Sequence, residues 1–353
     1  MKKYLKSLAL LTAMIMMVSV VAVGCSQKAE NTPAPAAEPK KEEVKKEEPK
    51  QEEAKKEVDW PKKPITFLVP AKAGGDTDFN ARAYAKHLEK ELGQSIGVVN
   101  IDGASGTLAV RKVKDSDPDG YNVLVYHTSM ILNTLNGLID FSFEAFEMGG
   151  IGAMESGNVI VVNKDSNYNS LKDLVEAAKA NPKNIKLGIQ QGGIYHMLGY
   201  MLQGTSDTEF NLVDAGGAAD KNVALKGKKV DAIITAYGAV KGFVESGDFR
   251  VIAVASEKRN AKFSDVPTAK EQGFEILLEK PYYFLFPKGT PKEITEKFNK
   301  AINNVAANNK DYAAEIDKAY MLTPNAMNIE DSSKFMDDQF NMMKKYHDAY
   351  IKK

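Results

Sequence analysis

Cysteine is nearly absent: Cys25 is the single example in 353 residues. One thiol excludes an internal disulfide and any zinc or iron–sulfur site built on cysteines. Histidine is scarce as well. His87, His127, His196 and His347 are dispersed, and no HExxH or HxH spacing places two on one face. Net charge is missing too, because 47 Lys and Arg balance 47 Asp and Glu. A chain that grips nucleic acid or an anionic membrane face by its overall field needs a basic excess. Neither a Gly-Lys-Ser/Thr loop nor a GxGxxG fingerprint occurs, so nucleotide chemistry has no motif to stand on.

What is present begins with an unusual first segment. Lys2, Lys3 and Lys6 precede an apolar run from Leu8 to Val23, broken only by Thr12 and Ser19. That is short for a spanning helix, which needs about 20 apolar residues. The run ends in Ala22-Val23-Gly24-Cys25. Small residues leading into Cys resemble a lipobox, which implies cleavage before Cys25 and its lipidation. An uncleaved anchor helix is the plainer alternative. Both place the folded part outside the cytoplasmic membrane. Residues 26–59 follow, rich in Pro and Ala and then in Lys/Glu blocks such as Lys45-Lys46-Glu47-Glu48. With almost no large apolar residue, this stretch cannot offset the entropy of ordering and is expected to be a disordered, solvated tether.

From Trp60 the pattern alternates. Ile65–Pro70, Ile96–Val99, Tyr121–Tyr126, Val159–Val162, Ile185–Ile189, Phe210–Val213, Val230–Thr235 and Val251–Ala255 read as strands, with helical stretches such as Thr77–Leu92 and Thr107–Asp115 between them. Ser170 and Asp173 have the spacing of a capping box. Such alternation predicts an α/β chain with a parallel-rich sheet. One more strand, Tyr282–Pro287, precedes three helical stretches at Pro291–Ala307, Asp311–Ala319 and Ile329–Ile351. At roughly 150 residues per domain, two folded lobes are expected.

Three glycine-rich loops at strand exits are the chemical candidates. The first is Ala71-Lys72-Ala73-Gly74-Gly75-Asp76-Thr77-Asp78. Glycines admit a ligand close to the backbone, and unpaired amides at a helix start suit a carboxylate. Thr77 or Asp78 would cap that helix, and Asp78 and Arg82 have i,i+4 spacing for an ion pair. The second loop is Gln190-Gln191-Gly192-Gly193-Ile194-Tyr195-His196, where His196 is either a contact or a packing residue. The third is Gly216-Gly217-Ala218. Gly103-Ala104-Ser105-Gly106 only approximates a nucleophile elbow, because no residue separates Ser from Gly.

Set in order, these pieces resemble the solute receptors of the tripartite tricarboxylate transporters, the Bug receptors. The carriers are Trp60-Pro61-Lys62-Lys63-Pro64-Ile65, Gly74-Gly75-Asp76-Thr77-Asp78 with Ala81-Arg82, Gly103-Ala104-Ser105-Gly106 and Pro118-Asp119-Gly120-Tyr121. Asp265-Val266-Pro267-Thr268 with Glu271-Gln272-Gly273, and Pro287-Lys288-Gly289-Thr290-Pro291, complete the series. Tyr282-Tyr283 stands where relatives usually carry Trp, and the glutamines of the second loop stand where they carry Ser, Thr or Gly.

The resemblance implies a two-lobed, periplasmic-binding-protein-like fold whose cleft closes on a small organic carboxylate without metal or cofactor. Residues 60–155 plus 283–353 would form one lobe and 156–282 the other, hinged near Met154–Asn158 and Glu279–Tyr283. In the family, backbone amides of the first and second loops hold the carboxylate. Carried over, Ala71 to Asp78 and Gln190 to Ile194 would do so here, with His196, Gly216, Gly217 and Ala218 at the border. Thr128 and Ser129 lie where hydroxyl contacts are often found. The implied partners are a large and a small integral membrane transporter subunit, with a lipid on Cys25 holding a monomer to the membrane and no nucleic acid involved. A receptor for a sensor kinase is the nearest rival. An extracytoplasmic hydrolase using Ser105 with His127 or His196 is the rival from another class.

Overall fold

The computed structural model describes residues 58–155 and 157–350. The apolar first segment, Cys25 and nearly all of the expected tether lie outside the described residues. The chain walks through β1 (Ile65–Val69), α1 (Asp76–Leu92), β2 (Ile96–Asn100), α2 (Thr107–Lys114), β3 (Asn122–Tyr126), α3 (Ser129–Leu135) and β4 (Phe146–Glu155). It continues through β5 (Asn158–Asn163), α4 (Leu171–Ala180), β6 (Lys186–Ile189), α5 (Ile194–Ser206), β7 (Asn211–Asp214), α6 (Ala218–Lys226), β8 (Ala232–Ala236), α7 (Lys241–Glu245) and β9 (Phe249–Val254). It ends with β10 (Lys280–Pro287), α8 (Lys292–Asn308), α9 (Lys310–Tyr320), β11 (Thr323–Pro324) and α10 (Ile329–Tyr350).

Two sheets result. The first has the order β11-β4-β10-β3-β1-β2 and the second β7-β6-β8-β5-β9. The chain leaves the first sheet at Glu155 and returns to it at Lys280, and these two residues sit opposite each other in the β4–β10 ladder. The parallel-rich expectation needs correction. The β1–β2, β1–β3, β6–β7 and β6–β8 pairs are parallel, but the pairs made by β4, β5, β9, β10 and β11 are antiparallel. The crossing strands arrive from the other lobe without a covering helix, so they enter in the opposite sense. β4 went unread in the sequence because Gly149, Gly150 and Gly152 break its apolar pattern.

Those glycines make room. A Cβ on Gly152 would lie 2.6 Å from the ring of Tyr84. Tyr84 is fully buried, donates its hydroxyl to the Gly152 carbonyl at 2.5 Å and meets Phe284 edge-on at 5.0 Å. This aromatic cluster, with Phe67, Phe298 and Tyr312, fixes α1, α8 and α9 onto the first sheet. In the second lobe, Ser170 and Asp173 form the capping box that starts α4. α10 packs on α3 and β4 of the first lobe and on α5 of the second.

Candidate functional site

In the first sheet β1 lies between β2 and β3. The chain leaves β1 through α1 to one side and reaches the other side through α2. Such a reversal opens a crevice beyond the carboxyl ends of the strands. The second sheet repeats the arrangement, with β6 between β7 and β8. Ala71 to Gly75 follow β1, and Thr128 and Ser129 follow β3. Gln190 to Gly193 follow β6. Gly216 and Gly217 follow the edge strand β7. The sequence-derived loops therefore sit at or beside the two switch points.

The first loop is held from within. Gly74 has φ +86°, and Gly75, in extended conformation, is the N-cap of α1 in place of Thr77 or Asp78. Asp78 is buried and turns back into the loop. It accepts from the Gly74 amide at 2.8 Å, the Asn100 side chain at 2.9 Å and the Arg82 guanidinium at 3.0 Å. Burial pushes its carboxyl up, but these donors, Arg82 first, hold it below the usual range. Asp78 thus shapes the loop. Lys72 and Ala73 are exposed, with Lys72 3.8 Å from Asp102. Thr77 is buried, and its amide donates to Asp76 at 2.8 Å.

Asp76 points elsewhere, into a charge cluster at the crossing. Its carboxylate accepts from Lys280 Nζ and from the Tyr282 hydroxyl at 2.7 Å. Lys280 also pairs with Glu155 at 3.3 Å. Burial drives the Asp76 carboxyl up, and the Lys280 ammonium reverses this and holds it well below the usual carboxylate range. Burial drives Lys280 down, and Glu155, Tyr282 and Asp76 together hold it well above the usual lysine value. His127 lies alongside, its ring 5.7 Å from that of Tyr282. Burial and the nearby ammonium push it down to about 3, so it is neutral at pH 7. Its Nδ1 accepts from the Ser129 amide at 3.2 Å, and its carbonyl accepts from Tyr283 at 2.7 Å. The Thr128 hydroxyl donates to the Glu279 carbonyl at 3.4 Å, so it serves the crossing.

The second-lobe loops are tied to each other. Asp214 accepts from the amides of Gln191 at 3.2 Å and Gly216 at 3.1 Å. His196 Nδ1 accepts from the Gly192 amide at 3.1 Å, and its ring lies 4.4 Å from that of Tyr200. Burial pushes His196 below its ordinary value. Its hydrogen bond to the Gly192 amide closes the loop. Gln190 and Gln191 are exposed. Gly217 precedes Ala218, the first residue of α6, and its amide donates to Asp220 at 3.3 Å.

The two lobes confront each other here. Tyr195, in the first turn of α5, has its phenol pushed up by burial and then by Glu155, and it lies within electrostatic reach of Lys280 and Asp76. Helix geometry leaves the amides of Asp76 and Asp78 in α1, and of Ile194 and Tyr195 in α5, without intrahelical partners. Phe79, in the first turn of α1, pairs its ring with Tyr320 at 5.2 Å, and Tyr237, just after β8, stacks on Phe263 at 4.1 Å. Ser105 is exposed on its loop, and its carbonyl accepts from Tyr126 and Asn133. Among the described residues no hydrogen bond joins it to His127 or His196. A surface groove of about 1010 Å³ lies on the outer side of the first lobe, between Phe143, Lys288, Asn299 and Asp337, away from both switch points. The Asp76–Lys280–Glu155 cluster was not legible in the sequence, since residues 76 and 280 meet only through the return of β10.

A family model described as "Tripartite tricarboxylate transporter family receptor" matches residues 80–350. The chain belongs to this receptor family. Among relatives, BugT of Bordetella pertussis is 30% identical over 251 residues, covering 69% of this chain and 76% of BugT. A solved TctC solute-binding protein from Polaromonas shares 27% identity at a TM-score of 0.75, covering 82% of this receptor and 99% of that chain. MatC of Rhodopseudomonas palustris, solved with bound malate, is 21% identical at a TM-score of 0.65, covering 82% of this receptor and 100% of MatC, and shows the shared fold. This receptor therefore has the two-lobed α/β architecture of periplasmic solute-binding proteins.

Proposed function

We propose that this receptor captures a small organic carboxylate between its lobes and delivers it to large and small integral membrane transporter subunits, held outside the membrane by a lipid on Cys25. What supports the ligand reading is that each sheet carries a glycine-lined helix start at its switch point, with backbone amides that lack intrahelical partners, and that Tyr195 of one start lies within electrostatic reach of Asp76 of the other. A carboxylate there receives charge-assisted hydrogen bonds, which strengthen when closure excludes water. Closure is a hinge motion at the Glu155 and Lys280 crossings. The malate in MatC belongs to this class of ligand.

The test is a thermal-shift screen of the purified receptor against lactate, malonate, succinate, malate, glutarate, adipate and citrate, followed by calorimetry. A ligand at 100 times its Kd adds about 2.7 kcal/mol of stability. A screen in which no carboxylate raises the melting temperature sinks the reading.

A further inference from the structure

Lys221 lies in the first half of α6 and is completely buried, with 0% of its surface exposed. Its Nζ donates to the Ile234 carbonyl at 2.6 Å and sits 3.6 Å above the centre of the Tyr195 ring. An ammonium has three donors. Neither contact is a counter-ion, and among the described residues no carboxylate pairs with it. Lys280, 13% exposed, has two carboxylates by contrast. A buried cation without an anion is costly to keep. It is therefore a candidate functional group when it stands in a cleft.

Its contacts set it directly behind the second-lobe helix start. Ile234 is two residues from the end of β8, beside the β6–β8 switch point. Tyr195 belongs to the first turn of α5, which contains no acidic residue, whereas the first turn of α1 holds Asp76 and Asp78. The first-lobe helix start thus has its own anions in place. The second-lobe start has free amides and a lysine without a counter-ion, while its nearby carboxylate, Asp214, is held on the Gln191 and Gly216 amides.

We propose that Lys221 is a specificity-determining residue that neutralises an anionic group, a carboxylate, of the ligand seated over the first turn of α5. This rests on the carboxylate reading above and adds where the charge is met. Burial holds Lys221 down to about 7, so the apo receptor carries it mostly neutral at pH 8. A carboxylate arriving beside it favours the charged form, and binding then takes up a proton. Of the elements packed against α6, β5 and β8 contain no titratable residue, and β6 contains only Lys186, exposed at its far end. α5 contributes Tyr195, Tyr200 and His196. Burial pushes both phenols up and the imidazole down, so all three are uncharged at pH 8.

The test uses the tightest binder from the seven-carboxylate screen, with calorimetry at pH 8 in two buffers of different ionisation enthalpy. For wild type the expected result is net proton uptake on binding. For Lys221→Met, affinity falls at least tenfold, proton uptake disappears and the ligand-free melting temperature rises. No uptake in wild type overturns the proposal even if the variant does not fold. Unchanged affinity in Lys221→Met, with a lower ligand-free melting temperature, marks a structural strut and also overturns it. A screen without any binder overturns the carboxylate reading itself.

Discussion

Lys280→Met is the most informative perturbation of the crossing. The side chain is 13% exposed and its two partners, Glu155 and Asp76, are 11% and 34% exposed. Removing one member of a buried ion pair costs about 3–5 kcal/mol, because the other charge stays behind without a partner. Asp76 keeps the Tyr282 hydroxyl and the Thr77 amide and is one-third open to water, which places the cost at the low end, about 3 kcal/mol. At about 2–4 °C per kcal/mol for a chain of this size class, the melting temperature falls by about 6–12 °C. The pH dependence follows from the sign of the Asp76 shift. Its folded carboxyl lies below the ordinary range, so its contribution is present above the unfolded pKa and is lost as pH falls through the folded one. In the variant the Asp76 carboxylate has lost the ammonium that held it down, so burial raises its folded pKa. The gap between wild type and variant is therefore widest near pH 7 and narrows progressively as pH falls through the ordinary carboxylate range. Urea unfolding at pH 7, 5 and 3.5, followed by the fluorescence of the single tryptophan Trp60, measures it. A variant as stable as wild type at pH 7, or a gap that stays constant down to pH 3.5, refutes the reasoning.

Gly152→Ala places a methyl 2.6 Å from the ring of the fully buried Tyr84, and overpacking of this kind costs about 3 kcal/mol; a denaturation midpoint equal to wild type contradicts the account of β4. Ser105→Ala leaves carboxylate affinity within twofold of wild type, because that hydroxyl is not joined to an imidazole. A hydrolytic turnover that this change abolishes, seen with ester substrates, favours the enzyme rival. Cys25→Ala releases the receptor into the soluble fraction of cells expressing the full chain; continued co-sedimentation with membranes argues for an uncleaved anchor helix.

The sequence determined most of the elements and the glycine-rich loops at the strand exits. The apolar runs mark nearly all the strands of both lobes, since a strand buried on both faces reads as a continuous apolar segment. The loop glycines mark the places where the chain needs φ > 0 or close backbone approach, as at Gly74 and Gly192. Ser170 and Asp173 announced their own capping box because every partner lies within one turn. Three things waited for the tertiary structure. The glycines of β4 disguised a central strand whose purpose, room for Tyr84, is visible only once α1 lies on the sheet. The hydrogen bonds by which Asp78 and His196 hold their own loops form only once the loops have their folded shape. Lys280, Glu155 and Asp76 come from three segments, and Lys221 meets Tyr195 and Ile234 only after α5, α6 and β8 have packed. Local rules read hydrogen bonds and burial along the chain. The sign and partner of a buried charge depend on groups far apart in sequence, and those are set by the fold alone.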